Sequence, residues 1–228
     1  MNNLTFEENN TPRSTAFDDI YYNVDGGLEE KKYVFIQANK LPSKFAELSN
    51  DINVLELGFG TGLSFLLTAL EYNKHNADYN LNFTSTELYP LSYTELDAAL
   101  AIWEDLYKES FVQKFLEEYK KVDLSKNIEI KIDNINLTIL IGDARETLKT
   151  LKTKQHCFYL DGFAPSKNPV MWGEEVFAEI SRLAEVNSSA TTYACSRQVK
   201  DILNFAGFEF YKQKGFGKKR EMIIGIKK

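Results

Sequence analysis

Short apolar strands alternate with amphipathic helices from residue 53 onward, and this alternation constrains the fold more than any other feature. The pattern predicts strands at 53–57, 81–87, 137–141, 157–160, 190–194, 208–211 and 221–226. It predicts helices at 61–72, from Pro90 to about residue 103, at 145–151, 174–183 and 196–205. Strand–helix alternation is typical of a mostly parallel sheet with helices on both faces, so we expect an α/β fold.

The remaining stretches suggest how the domain is organised. We expect residues 51–228 to form one domain and residues 1–50 an N-terminal extension packed on its core. Residues 104–136 are predicted to be an insertion, with an amphipathic helix around Phe111 and a strand over the sequence IEIKI. The chain has 228 residues, which suffices for one sizeable core.

Charge and composition exclude several classes of protein. The net charge of -6 argues against indiscriminate binding of nucleic acid. No apolar run approaches the ~20 residues of a membrane helix, so no membrane association is expected. The N-terminus also lacks the basic and apolar regions of a signal peptide. Cys157 and Cys195 lie far apart, in no metal-like spacing. We therefore expect a reduced cytoplasmic protein without a bound metal.

A glycine-rich turn follows the first strand of the predicted sheet. Ligands of such sheets bind beyond the carboxyl ends of the strands. The sequence there contains Glu56, Gly58, Gly60 and Gly62 in the pattern E-x-G-x-G-x-G. The dinucleotide fingerprint G-x-G-x-x-G would need a glycine where Leu63 stands. The pattern instead resembles the first motif of class I S-adenosylmethionine (SAM) methyltransferases.

Acidic residues follow the second and third predicted strands. Glu87 can accept hydrogen bonds from both hydroxyls of a ribose, although a solvated surface residue is the alternative. Asp143, followed by Ala144, can lie on the adenine side of a cofactor. Asp143 also suits the N-cap of the helix that begins at Arg145, and one aspartate can do both.

Asp161 ends the fourth predicted strand, so we expect it to face the methyl donor. An amine attacks a methyl group through its lone pair, which an ammonium lacks. A carboxylate within hydrogen-bond distance can hold the amine and accept its proton. The alternative is an ordinary turn aspartate before Gly162.

The loop after Asp161 is stiff and polar. Pro165 and Pro169 fix the backbone and reduce the entropy lost when the loop orders. Lys167 and Asn168 lie between them. Trp172 offers a flat face for stacking on a base, or else it is a core residue that starts the following helix.

This loop carries a resemblance to one family. LDGFAPSKNPVMW is similar to the signature of the methyltransferase domain that completes 5-methylaminomethyl-2-thiouridine at the wobble position of tRNA. Four further stretches resemble the same family in order: DDIYYNVDGGLEEKKYVF, LELGFGTGLSFL, TELYPLSYTELDAAL and GFEFYKQKGFGKKREMIIG. Residues 117–136 depart from the family pattern, and nothing is transferred to them.

The resemblance implies a fold, a reaction and partners. The fold would be the Rossmann-like class I SAM methyltransferase sheet of seven strands, the last antiparallel, with N-terminal additions. The reaction would transfer methyl from SAM to the 5-aminomethyl group of uridine 34 in tRNA. In many bacteria this domain is fused to a flavin-dependent oxidase. Since this chain ends after the last predicted strand, we expect the stand-alone form, which needs no flavin. An upstream oxidase or other tRNA-modifying enzymes would supply its aminomethyl substrate.

The family's site residues map onto matching positions of this sequence. Asp161 would face the methyl group and the acceptor amine, and the loop from Phe163 to Trp172 would shape the uridine pocket. The residues implied to hold the cofactor are Glu56, Gly58, Gly60 and Gly62 at the methionine part, Glu87 at the ribose, and Asp143 and Ala144 at the adenine side.

Contact with tRNA is expected at the closing hairpin. Lys218, Lys219 and Arg220 can hold phosphates of the anticodon stem-loop, and Phe216 can stack on a splayed base. The alternative is a solvated turn with scattered cations. Arg197, after the fifth strand, is a second position for a phosphate or base contact, or else a surface residue at a helix start.

Three other functions stay open. A methyltransferase that acts on a small amine would share the cofactor site. An aminopropyl transferase would share the sheet and the strand-end acid, but Lys167 would repel a polyamine. A non-catalytic binding module would be expected to lose the glycine motif or Asp161, and both are present.

Overall fold

A single large sheet runs through the protein, and three short strands and three short helical segments precede it in the described residues. The computed structural model describes residues 3–75 and 78–228. The N-terminal elements are β1 (Leu4–Phe6), β2 (Pro12–Ser14), β3 (Asp19–Ile20), α1 (Gly27–Lys31), a π-helix (Lys32–Gln37) and α2 (Leu41–Ala46). The following elements are β4 (Ile52–Leu57), α3 (Leu63–Tyr72), β5 (Leu81–Glu87), α4 (Tyr93–Leu100), α5 (Glu104–Tyr107), α6 (Ser110–Tyr119), β6 (Ile128–Ile132), β7 (Ile135–Ile141), α7 (Ala144–Thr147), a 3-10 turn (Leu148–Thr150), β8 (Gln155–Tyr159), α8 (Glu174–Leu183), β9 (Ala184–Thr192), α9 (Arg197–Phe205), β10 (Phe208–Gln213) and β11 (Met222–Lys227).

The sheet has the order β10-β11-β9-β8-β4-β5-β7-β6. Strands β9, β8, β4, β5 and β7 run parallel, and β11 is antiparallel to both of its neighbours. The predicted α/β sheet with an antiparallel last strand is confirmed. Among the described residues the sheet has eight strands rather than seven, because the insertion adds β6 as an antiparallel edge strand beside β7.

Burial along each strand follows from its place in the sheet. The central strand β4 is buried along most of its length, as expected where helices cover both faces. The edge strand β6 alternates between buried isoleucines and exposed charged side chains. Adjacent residues of β4, Val54 and Leu55, belong to two separate core clusters. Successive side chains of a strand point to opposite faces, so each face of the sheet carries its own core.

The N-terminal segment packs against the core on one face of the sheet. Val34, Phe35 and Phe45 are almost fully buried there. The ring of Phe35 stacks on Tyr159 of β8, with the ring centroids 4.9 Å apart. The helices that carry these residues were not predicted, since they are short and one turn is a π-helix. The division of the chain near residue 50 stays a prediction, and residues 1–2 of the predicted extension lie outside the described part.

Two predicted boundaries were wrong. Pro90 does not lie in a helix, because α4 begins at Tyr93 with Ser92 as its N-cap. Ser92 and Glu95 form a reciprocal capping box, which fixes the N-cap of the helix two residues after the proline. Strand β9 begins at Ala184, six residues earlier than predicted, because α8 runs into it without a polar loop.

None of the helices among residues 3–75 and 78–228 is long and apolar enough to cross a membrane.

Candidate active site

The strand-end residues predicted from the sequence meet at one cavity. Its volume is about 220 Å³, and it lies at the carboxyl ends of β4, β5, β7 and β8. We call five of its lining residues the strand-end floor: Gly58, Gly60, Glu87, Asp143 and Asp161. Four parallel strands therefore bring together residues that are up to 103 positions apart (161 − 58).

The glycine turn lies between β4 and α3 in a conformation that favours glycine. Gly58, Gly60 and Gly62 have φ angles of 87°, 53° and 71°. A Cβ atom on Gly60 would lie 2.9 Å from Cδ1 of Tyr21, and one on Gly62 would lie 2.8 Å from Cζ of Phe59. Gly58 and Gly60 line the cavity, but Gly62 does not and instead caps the N-terminus of α3.

Glu56 does not line the cavity, contrary to the prediction that it surrounds the cofactor. It is a penultimate strand residue, enclosed within the sheet, and only 1% exposed. The hydroxyl of Ser85 donates to its Oε2 over 2.9 Å. Burial, together with the charge of Asp161, raises the pKa of Glu56 to about 8. Glu56 is therefore a buried group beneath the glycine turn.

Glu87 is held rigidly at the end of β5. The backbone N–H of Gly60 donates to its Oε2 over 2.8 Å, and the N–H of Tyr89 donates to its Oε1 over 2.9 Å. Burial raises the pKa of Glu87, and these backbone donors oppose the rise. The carboxylate thus joins the end of β5 to the glycine turn at the cavity.

Asp143 caps α7 and also lines the cavity. Its Oδ1 accepts from the N–H of Arg145 over 2.9 Å, which confirms the predicted N-cap. The guanidinium of Arg145 approaches Oδ2 to 2.6 Å and holds the pKa of Asp143 below its usual range. Ala144 lies beside it on the cavity wall. The role of Asp143 and Ala144 at the adenine stays a prediction.

Asp161 forms a buried ion pair that the sequence did not predict. The ammonium of Lys31 and the hydroxyl of Ser64 both donate to its Oδ2, the latter over 3.0 Å. Among the described residues, no donor reaches Oδ1 of Asp161. Burial raises the pKa of Asp161, and the charge of Lys31 opposes that rise. Lys31 lies in the sequence GLEEKK, which resembles a solvated charged run, so only the fold reveals this contact.

The N-terminal segment forms one side of the cavity. We call its four lining residues the N-terminal wall: Phe17, Ile20, Tyr21 and Lys31. The ring centroids of Phe17 and Tyr21 lie 4.9 and 5.3 Å from that of Phe163. The sequence offered no periodic signal for these residues, which lie in short strands and turns.

The predicted uridine loop is only partly at the cavity. Phe163 and Asn168 line it, whereas Lys167 lies outside and pairs with Asp18 over 3.1 Å. Trp172 is 1% exposed, and its indole N–H donates to the carbonyl of Phe163 over 2.9 Å. The stacking role considered for Trp172 is therefore wrong, and the core alternative is confirmed.

The three predicted cations of the closing hairpin lie on an exposed loop between β10 and β11. We call residues 214–220 the basic loop. Lys218, Lys219 and Arg220 are all exposed. Lys219 Nζ lies 2.5 Å from Oε1 of Glu30 and 4.8 Å from the ring centroid of Tyr193, a cavity-lining residue. The basic loop thus borders the cavity without lining it.

Two other predicted RNA contacts are placed less favourably. Phe216 is half-buried, with its ring 6.0 Å from that of Tyr33, so it is not a free stacking surface. Arg197 is exposed at the start of α9, where its guanidinium lies 3.5 Å from Asp201. Neither residue lines the cavity.

Neither cysteine forms a disulfide: Cys157 is buried and Cys195 half-buried. Within the described residues, no group of three or more His, Cys, Asp or Glu side chains is arranged to hold a metal ion.

Comparisons with known proteins agree with this geometry. Residues 107–228 match a family model described as S-adenosyl-L-methionine-dependent methyltransferase. A protein of Leptospira borgpetersenii serovar Hardjo-bovis, strain JB197, is 39% identical over 225 residues. A protein of Pseudomonas fluorescens, strain Pf0-1, is 41% identical over 227 residues. Both are named tRNA 5-methylaminomethyl-2-thiouridine biosynthesis bifunctional protein MnmC.

These relatives are longer than this chain. The alignments cover 97% of the chain but only 34% of each relative. The chain thus spans about a third of the length of the curated relatives that it matches.

Solved structures support the fold. The crystal structure of MNMC2 from Aquifex aeolicus superposes with a TM-score of 0.77 at 20% identity, covering 99% of this chain and 70% of that one. DesVI of Streptomyces venezuelae superposes with a TM-score of 0.51 at 11% identity, covering 88% of this chain and 92% of that one. The family model matches more than half of the chain, and the resemblance predicted from the sequence is confirmed: the chain belongs to a family of S-adenosyl-L-methionine-dependent methyltransferases.

Proposed function

We propose that the protein transfers the methyl group of SAM to the 5-aminomethyl group of the wobble uridine in tRNA, giving 5-methylaminomethyl-(2-thio)uridine. The observation that carries the proposal is the position of Asp161. A carboxylate lies at the same cavity as the glycine turn of a SAM-dependent methyltransferase family. The names of the Leptospira and Pseudomonas relatives point to tRNA as the substrate.

The residues at the cavity fit SAM. Gly58 and Gly60 have no side chains and so leave room for a ligand in the cavity, since a Cβ atom on Gly60 would already touch Tyr21. Glu87 is fixed by two backbone donors and keeps lone pairs for ribose hydroxyls. Asp143 and Ala144 would hold the adenine side, while Gly58 and Gly60 would hold the methionine part. SAM, when bound, supplies an electrophilic methyl group.

Asp161 would act on the acceptor amine. A primary amine is largely protonated in water at neutral pH, and the ammonium has no lone pair for attack. A carboxylate within hydrogen-bond distance can take the proton from the nitrogen and then hold the neutral amine in place. Burial strengthens this contact, because the local dielectric constant is low. Asp161 is therefore the proposed catalytic residue.

The basic loop supports a nucleic-acid substrate. The chain as a whole carries a net charge of -6, so RNA contact must be local. Lys218, Lys219 and Arg220 are exposed, and Lys219 lies beside Tyr193 at the cavity. Phosphates of an anticodon stem-loop could pair with these cations while the wobble base enters the cavity. The cytoplasmic location, the supply of the aminomethyl substrate by other enzymes, and the lack of need for flavin or metal stay predictions.

A small amine remains the alternative substrate, and the structure changes the argument about it. Lys167 was expected to repel a polyamine, but it lies outside the cavity and pairs with Asp18. Two other cationic residues, Lys31 and Arg145, line the cavity instead. A polycation would still meet a positive charge there, which disfavours aminopropyl transfer.

Methyl transfer to tRNA tests the proposal directly. Labelled SAM is incubated with the protein and bulk tRNA that lacks the modification, and the nucleosides are then analysed by mass spectrometry. We expect a 5-methylaminomethyl-uridine product, formed roughly 10²-fold more slowly with Asp161→Asn. SAM binding without RNA labelling, together with labelling of a small amine, would overturn the RNA assignment and leave the cofactor assignment intact.

Charge reversal tests the basic loop. Changing Lys218, Lys219 and Arg220 together to Glu should weaken tRNA binding by roughly tenfold or more and flatten its salt dependence, because fewer phosphates are neutralised. Binding is measured by fluorescence anisotropy at several salt concentrations. The matched control makes the same charge change on the distant helix α6 and the turn after it, at Lys114, Lys120 and Lys121. An equal loss in both variants would place the RNA surface elsewhere.

A further inference from the structure

The proposed function makes no use of the ion pair between Lys31 and Asp161. The two side chains are only 14% and 4% exposed, so the pair is screened from water. Both residues line the cavity. Lys31 Nζ and Ser64 Oγ donate to the same carboxylate oxygen, Oδ2. A lysine from the first helix therefore reaches the strand end at which we place the acceptor amine.

We propose that Lys31 is a positioning residue: together with Ser64 it holds Oδ2 of Asp161 and keeps the carboxylate ionised before the acceptor amine binds. This inference rests on the proposed function for the identity of the acceptor. The contact itself is independent of the substrate.

The need for a cation follows from the surroundings of Asp161. Transfer of an isolated carboxylate from water into a protein interior is unfavourable, so such a group tends to keep its proton. A protonated Asp161 could not accept a proton from the amine. An ammonium in hydrogen-bond contact favours the ionised form and so restores the base.

The other charged groups around the pair strengthen this need. Glu56 of β4 lies beneath the cavity floor, and its titration is affected by the charges of both Asp161 and Lys31. Glu30 on α1 adds a negative charge near Asp161, although it is paired with Lys219. The negative charge of Glu30 disfavours ionisation of Asp161, and the charge of Lys31 opposes that effect. Glu56, with its pKa raised to about 8, is mostly protonated at neutral pH and adds little negative charge.

A further titratable group, Tyr193, lines the cavity beside the pair. Tyr193 directly follows β9 and is affected electrostatically by Asp161 and by Asp19 of β3, and its burial raises its pKa far above the usual range. Tyr193 is therefore uncharged at physiological pH and adds no negative charge beside Asp161.

The surroundings of the two carboxylate oxygens of Asp161 support different roles for them. Oδ2 has two donors, whereas Oδ1 is buried and no donor among the described residues reaches it. A buried carboxylate oxygen without a donor is costly. An N–H of a bound acceptor amine would supply that donor, while Lys31 and Ser64 keep the carboxylate in one orientation.

The local backbone distinguishes Lys31 from its neighbour. Lys31 ends α1, and the π-helix begins at Lys32. Lys32 is exposed and lines a separate surface groove with Trp103. Lys31 and Lys32 therefore form a matched pair of adjacent lysines, of which only the first contacts Asp161.

The first test needs no substrate. The protein is labelled with ¹³C at aspartate carboxyl carbons, and the signal of Asp161 is assigned by its loss in Asp161→Asn. We expect Asp161 to titrate at higher pH in Lys31→Met than in the unchanged protein, because a positive charge has been removed. Lys31→Arg and Lys32→Met should leave the titration nearly unchanged. An unchanged titration in Lys31→Met would overturn the proposal.

The second test uses the pH dependence of methyl transfer from about pH 5 to about pH 9. In Lys31→Met, kcat/KM should fall by about tenfold or more at the acid end and approach the unchanged protein at the alkaline end, where Asp161 ionises without help. A purely structural loss would lower kcat/KM equally at all pH values and would contradict the proposal. Lys31→Arg should restore the original profile.

The two tests separate the possible failures. If RNA is not methylated but the titration of Asp161 depends on Lys31, the acceptor assignment is wrong and the role of Lys31 stands. If Lys31→Met does not fold, Ser64→Ala serves instead, because it removes the other donor to Oδ2. In Ser64→Ala, the titration of Asp161 should shift to higher pH by less than in Lys31→Met. An unchanged titration of Asp161 in Ser64→Ala would count against the proposal.

Discussion

The strand-end floor and the N-terminal wall enclose the same cavity but are built in different ways. The floor consists of residues at the ends of four adjacent parallel strands, held by the hydrogen bonds of the sheet. The wall consists of side chains from the short strand β3, the turns beside it and one short helix. Aromatic contacts to Phe163 hold two of these side chains, Phe17 and Tyr21. Yet the cation that pairs with Asp161 comes from the wall. The floor therefore supplies the acid, and the wall controls its charge.

A side chain added at Gly60, between the strand-end floor and the N-terminal wall, should have the largest effect on SAM binding. In Gly60→Val, the new side chain would collide with Tyr21, and the positive φ of 53° would be strained. We expect SAM affinity to fall by roughly 100-fold or more, measured by calorimetry. The control is Gly217→Val, which has a similar φ of 56° and no neighbour within 4 Å of the added Cβ. Equal affinities in the two variants would remove the glycine turn from the cofactor site.

Removing the acid of the floor should affect turnover rather than binding. In Asp161→Ala, we expect kcat to fall by roughly 10²-fold, the range for loss of a positioned base, with SAM affinity changed by no more than a few fold. Asp161→Asn keeps the shape and should show a similar loss. Turnover and calorimetry on the same preparations check this. Near-normal turnover in both variants would exclude Asp161 from the chemistry.

The buried acid beneath the floor should make stability depend on pH. Burial raises the pKa of Glu56 from 4.5 to about 8, so between these values the folded protein keeps a proton that the unfolded chain releases. Stability conferred by the protonated state is therefore lost as pH rises through this window. In Glu56→Gln, which cannot ionise, Tm relative to the unchanged protein should rise from pH 5 to pH 8. A constant difference in Tm would contradict the assignment.

Loss of one buried hydrogen bond next to the N-terminal wall should have the smallest effect. The hydroxyl of Tyr22, next to Tyr21, donates to the carbonyl of Ala99 over 2.5 Å in a buried environment. Tyr22→Phe should lower the free energy of unfolding by about 1 kcal/mol, measured by urea denaturation. SAM affinity should stay unchanged if the wall is held by many contacts. The control Tyr211→Phe removes an exposed hydroxyl and should change stability by less.

The same contrast explains what the sequence could predict. Parallel strands place their carboxyl ends together, so residues after each apolar run, such as Glu87 and Asp161, were predicted at one cavity. Lys31 was missed because α1 has only five residues and its charged sequence resembles a solvated surface. Its partner is 130 positions away, and no local pattern encodes that distance.

Two predictions failed because the type of a residue does not tell in which direction its side chain points. Glu56 carries a carboxylate that could bind a cofactor, but its position within β4 buries it beneath the glycine turn. Trp172 was equally consistent with stacking or packing, and only the tertiary structure places its indole in the core. Strand ends were thus predictable from apolar runs, whereas the orientation of individual large or charged side chains was not.

The edge strand β6 offers a practical consequence. Its turn to β7 contains Asp133, whose side chain is 76% exposed, and it lies at the amino ends of the neighbouring strands. Strand β7 has seven residues, so this turn is about 20 Å from the cavity. A short peptide tag inserted after Asp133 would anchor the protein to a sensor surface with its cavity and basic loop turned toward solution. Immobilised enzyme could then be presented with RNA from a flowing sample.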